Sequence, residues 1–140
     1  MQISIDTGVK SIEIIRNGEH VGDVTFSLSD PALLSRLRTV AAKAKEIEAN
    51  SKLGDTEDLN AALDEAERID KEIRDLLDWA FAAPVSGIIF GDSFSFTTSG
   101  GVTAVEQFLS GVMPLIEESF KAETEAAKKR QDKYLEKYRK

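Results

Sequence analysis

Cysteine is absent from this chain of 140 residues, which excludes disulfides, thiolate metal sites and cysteine nucleophiles. Histidine occurs once, at His20, too few for a metal centre built on imidazoles. Neither a metal nor a cofactor is therefore expected. No apolar run approaches the ~20 residues needed to span a bilayer, and the opening MQISIDTGVK lacks a basic stretch leading into an apolar one. These absences predict a soluble chain of a reducing compartment with no membrane partner. The length suits one domain with a modest core that needs no covalent staple.

Charge is unevenly spread. The formal net charge is −7. From residue 121 onward eight Lys/Arg stand against four Asp/Glu, a net +4, and the remaining ten and twenty-one leave −11 on residues 1–120. A basic end on an acidic body suits an acidic protein partner, an anionic membrane surface, nucleic acid or simply a solvated helix; the body would repel phosphates, so nucleic acid is disfavoured.

Three β-like stretches come first, at 2–5, 11–16 and 21–28. Asn17-Gly18 between the second and third accommodates the positive φ angles of a tight hairpin turn, and Val24, Phe26 and Leu28 alternate with polar neighbours. Such a sheet is marginal alone and needs its apolar face covered. Helices then supply the cover. Ser29-Asp30-Pro31 is a helix start, and Leu33, Leu37, Val40, Ala44 and Ile47 follow at helical spacing, with Arg36, Lys43 and Glu46 on the other face.

A polar break at 51–55 precedes a second helix, with Asp55 or Thr56 as its cap. Its stripe runs through Leu59, Leu63, Ala66, Ile69 or Asp70, Ile73, Leu77 and Ala80. Asp64–Arg68, Glu67–Lys71 and Asp70–Arg74 stand four apart with each acid preceding its base, and these carboxylates read as a salted outer face. The helix stops before Pro84, because the proline ring disfavours helical geometry at Ala83. Residues 85–90 suggest a short turn or helix beneath the core.

The last helix carries Val102, Val105, Phe108 or Leu109, Val112, Ile116 and Phe120 in one stripe. Pro114 removes a backbone bond and is expected to kink the helix near Ser110 and Gly111 or split it in two. Beyond Phe120 large apolar residues cease until Tyr134, Leu135 and Tyr138, so that segment should project. The fold expected is α+β, mainly α: a small N-terminal antiparallel β-hairpin or sheet, then a helical bundle with a long C-terminal helix. Residues 1–120 form a single globular domain, with the β unit over 1–28 and helices over 30–120, and residues 121–140 a basic projecting helix.

Phe90-Gly91-Asp92-Ser93 looks like the first block of the GDSL esterases, in which the serine is the nucleophile. A serine hydroxyl needs a base, which that family places after it in an Asp-x-x-His motif. No histidine follows Ser93. Hydrolase chemistry at Ser93 is a distant third reading, and no catalytic residue is assigned. The run Thr97-Thr98-Ser99-Gly100-Gly101 lacks the Gly-Lys-Ser/Thr ending of a phosphate-binding P-loop.

The order of parts is similar to another family. An Asn-Gly-Glu turn, a Ser-Asp-Pro helix start, an acidic helix closing on an aromatic residue, Val85 to Gly91 as Val-x-x-Ile-Ile-Phe-Gly, a loop of small and aromatic residues, Phe108-Leu109 with Pro114-Leu115-Ile116-Glu117, and the lysine-rich end around Tyr134 and Tyr138 resemble the tail assembly chaperones of long-tailed, siphovirus-type phages and prophages. The resemblance implies a non-enzymatic protein of the host bacterial cytoplasm. It would bind the tape measure protein, keep it soluble and recruit major tail protein; apart from the resemblance, the exposed helical faces are compatible with a homo-oligomer. A structural minor tail or connector protein of the virion is the alternative. Trp79, Phe90, Phe94, Phe96, Phe108, Phe120, Tyr134 and Tyr138 are the candidate partner-binding residues.

Overall fold

The computed structural model describes residues 1–27, 29–50 and 57–138. Strands β1 (Val9–Arg16) and β2 (Glu19–Ser27) precede helices α1 (Pro31–Ala49), α2 (Leu59–Phe81) and α3 (Ser86–Phe90). Two short strands, β3 (Thr98–Ser99) and β4 (Val102–Thr103), then lead into the long helix α4 (Ala104–Glu136). The architecture is α+β, mainly α, as the sequence predicts.

The hairpin turns at Asn17-Gly18, both with positive φ (53° and 81°). The pairing is antiparallel, with Ile12 opposite Val24 and Lys10 opposite Phe26, and its register shifts between Ile14 and Ile15. Val24 and Phe26 are buried and Ile12 and Ile14 partly so on the core side, while Ser11 and Thr25 share a hydroxyl contact of 2.9 Å on the other. The expected first strand at 2–5 does not form. Ile3 and Ile5 are 90 % and 80 % exposed, and a four-residue alternation contributes nothing when no neighbouring edge takes up its backbone groups.

Asp30 accepts a hydrogen bond from the Ala32 amide at 2.9 Å with Pro31 in the first turn, as the sequence predicts. The expected caps Asp55 and Thr56 lie outside the described residues; Asp58 caps α2 by accepting from the Asn60 amide at 3.0 Å. The predicted stripes bury Leu33, Leu37, Val40 and Ala44 on α1, and Ala66, Ile69, Ile73, Leu77 and Ala80 on α2. On α4 they bury Val105, Leu109, Val112 and Ile116. Leu59 and Leu63, by contrast, stay exposed, at 73 % and 47 %. Arg36 belongs to the interior side: its Nε donates to the Ala80 carbonyl at 2.7 Å, satisfying a group at the end of α2. That end closes on Ala82 in the left-handed region (φ 53°, ψ 36°), which turns the chain towards Pro84 and α3.

Helix α4 is one continuous element through Pro114, so the split expected there does not occur. Pro114 lies on the exposed side, with Val112 and Ile116 buried on either side of it. At its start Thr103 accepts from the Glu106 amide at 3.2 Å, with Glu106 favourably placed in the positive first turn. Val102 belongs to β4 and not to this helix. From Phe120 to Tyr138 every residue is exposed. Removing residues 121–140 should therefore shift the thermal midpoint by no more than about 2 °C, since exposed positions contribute little. Calorimetry of the truncated chain checks this, and a large drop would place the segment in the core.

Candidate functional site

The segment after α3 is set by a polar stripe on α2. Asp70, Arg74 and Asp78 stand four apart and face inward beside the apolar stripe of Ile69, Ile73 and Leu77. Arg74 Nε donates to Asp70 Oδ2 at 2.8 Å, with side-chain exposures of 20 % and 15 %. Its Nη2 donates to the carbonyls of Gly91 (2.8 Å) and Ser93 (2.6 Å), and the guanidinium lies 5.5 Å above the Phe90 ring. Asp70 Oδ1 accepts from the Ser95 amide at 2.6 Å. Asp78 accepts from both the amide and the hydroxyl of Ser86, at 2.8 and 3.0 Å.

This corrects part of the salted-face expectation. Asp70–Arg74 is an interior clamp, because its partners are backbone groups of a loop distant in sequence. On the outer side the pairs form with different partners: Arg68 bridges Glu65 and Glu72, and Lys71 meets Asp75. The expected Asp64–Arg68 and Glu67–Lys71 pairs are replaced by these.

Gly91 ends α3 at φ 59°, ψ −131°, a region essentially reserved for glycine. The Arg16 guanidinium crosses directly over it, within 2.6 Å of where a Cβ would stand. Arg16 also donates to the Ile88 carbonyl at 2.8 Å, so the hairpin is tied to α3 there. Ser93 thus sits on an exposed turn whose carbonyl is occupied by Arg74. His20 lies at the hairpin tip, its Nε2 2.8 Å from Asp23 Oδ1, a hydrogen bond that raises its pKa above the usual imidazole value.

Between the hairpin and α4 runs an open groove of about 620 Å³. One wall is β1, where Ile12 to Arg16 contribute consecutively. A wall lined by consecutive residues presents an edge as well as a face, and β1 is paired on one side alone. The other wall is α4, through Phe108, Val112 and Leu115 at helical spacing. An unpaired strand edge above an apolar helix face accepts an extended or helical segment.

Of the eight candidate partner-binding residues, Phe90 and Phe108 line this groove and the other six do not. Phe90 is 2 % exposed and belongs to the core, and it lies at the floor of this groove. Phe94 and Phe96 stack at 5.4 Å, half-buried, and Phe96 packs against the core. Phe108 lines the groove and meets Phe81 edge-on at 5.9 Å. Phe120, Tyr134 and Tyr138 are exposed along α4, and Trp79 stands 51 % exposed in a second groove between α1 and α2. The β1 edge was missed from the sequence, because edge status depends on which neighbours a strand lacks.

Among the described residues no helix is long and apolar enough to cross a membrane, and no group of three or more acids and histidines could hold a metal ion. Comparison with protein-family models, with curated proteins and with solved structures finds no match for this chain.

Proposed function

We propose that this chain is a tail assembly chaperone of a long-tailed phage or prophage, acting in the host bacterial cytoplasm. It binds the tape measure protein, keeps it soluble and recruits major tail protein. The order of sequence elements supports the reading, and the observation that carries it is the open groove between β1 and the first half of α4. A long helical client exposes apolar stripes that aggregate unless covered. The groove offers Ile12, Ile14, Phe108 and Leu115 to such a stripe, and its unpaired strand edge offers backbone hydrogen bonds to an extended one. Binding on an open surface is readily reversed, as handover to polymerising tail protein requires.

Co-expression with the tape measure protein encoded beside it tests the proposal. The client should remain in the soluble fraction with the wild-type chain and precipitate with Leu115→Glu. Leu115 is 46 % exposed, so that substitution spares the fold. A client that precipitates equally with and without this chain overturns the proposal. A fixed copy number in mature virions, measured by mass spectrometry, would instead assign the minor tail or connector role.

A further inference from the structure

A second concave surface lies between two helices and is unlike the first in charge. The groove between α1 and α2, about 470 Å³, has Ile47, Leu76 and the half-exposed Trp79 as its apolar floor. Its rim carries Glu46, Glu72 and Asp75 against the single base Lys43. Glu72 and Asp75 are engaged by Arg68 and Lys71, but these are pairs between exposed side chains on one helix, which exchange readily for an incoming cation. The helix beneath is the acidic element of the fold, with seven Asp/Glu to three Lys/Arg over Leu59–Phe81.

The complementary surface is the end of α4. Tyr134, Leu135 and Tyr138 are 62 %, 52 % and 72 % exposed and form one apolar patch, the two rings 5.1 Å apart. Arg130, Lys133 and Lys137 flank it. The two surfaces match in both respects: aromatic and aliphatic groups meet an apolar floor with a tryptophan, and bases meet an acidic rim. They do not meet within one chain, because every residue from Phe120 to Tyr138 is exposed and so is Trp79.

We infer that the groove between α1 and α2 receives the C-terminal end of α4 from a second copy of this chain. The contact joins two different surfaces, so each copy that donates its helix end keeps a vacant groove, and association proceeds head to tail until a ring closes or the subunits are exhausted. Trp79 is the anchor, since buried aromatic side chains dominate the energy of small interfaces. The charges select the partner end and make the association salt-sensitive. The inference stands apart from the chaperone reading: it uses a different groove and requires no client.

Sedimentation equilibrium of the full chain is the test. The wild-type mass should rise with concentration above 15.4 kDa at low salt and fall back as salt is added. Trp79→Ala, which lacks the groove anchor, and the double variant Tyr134→Ala/Tyr138→Ala, which lacks the helix end, should each associate at least tenfold more weakly. Mixed in equal amounts, the two variants should recover association but stop at pairs, because one intact joint remains between them. All three side chains are largely exposed, so circular dichroism should show each variant folded. A wild-type chain that stays monomeric, a variant that associates as tightly as wild type, or a mixture that stays monomeric or grows past pairs would overturn the inference.

Discussion

Arg74→Ala should lower the thermal midpoint by roughly 10 °C, corresponding to about 2–4 kcal/mol for a chain of this length. The substitution leaves the Asp70 carboxylate without its cation and strips donors from the Gly91 and Ser93 carbonyls, in a site where the two side chains are 15–20 % exposed. It also removes the cation above Phe90, whose ring is buried. Arg74→Lys should recover little, because one ammonium cannot hold Asp70 and two carbonyls in the fixed fork that a guanidinium provides. Calorimetry of the three proteins measures the effect, and a midpoint within 2–3 °C of wild type for Arg74→Ala would show that the loop after α3 holds itself. By contrast Lys71→Ala, which breaks an exposed pair, should leave the midpoint essentially unchanged.

Ile73→Ala should cost roughly 3–4 kcal/mol, the lost transfer energy plus the cavity left among neighbours that relax in part. Ile73 is 0 % exposed at the middle of α2, in a core that joins all three long helices to the hairpin. Leu63 belongs to the same helical stripe by spacing and is 47 % exposed; Leu63→Ala should stay within about 0.5 kcal/mol. Denaturant unfolding of both variants decides the matter, with a lowered midpoint and an unchanged slope expected for Ile73→Ala. Equal costs at the two positions would mean that α2 is covered along its whole length.

That pair of leucine and isoleucine positions marks where the sequence stops being informative. Period and capping identify the hairpin and the long helices, because those signals are local: Asn17-Gly18 fixes a turn and Asp30-Pro31 fixes a start. How much of a stripe is covered depends on the length of the neighbouring elements, which no local pattern encodes. The same limit applies to Asp70. An acid four residues before a base is equally consistent with a solvated face and with an interior clamp, and the difference lies in the Ser95 amide, distant in sequence. A hint was present in Asp70, Arg74 and Asp78, three polar residues in register beside an apolar stripe. In the candidate site, Phe108 was legible as the alternative to Leu109 in the stripe of α4, whereas Trp79 reads from the sequence as a packing residue at the end of α2 and is instead 51 % exposed. The strand edge of β1 and the acidic rim around Trp79 arise from tertiary neighbours and were not.

The anchoring of α4 reaches further than the groove it lines. A helix of 33 residues is about 50 Å long, and its first three turns are held by Val105, Leu109, Val112 and Ile116 against the body. A detached segment with the sequence of the second half would be marginally helical in water, because the first turn costs conformational entropy before any hydrogen bond repays it. In the intact chain that nucleus is already wound, and each later residue extends it by propagation alone. The exposed end therefore meets whatever binds it as a ready-made helix, so the ordering entropy that a coil would lose on contact has been spent in folding the body several turns away.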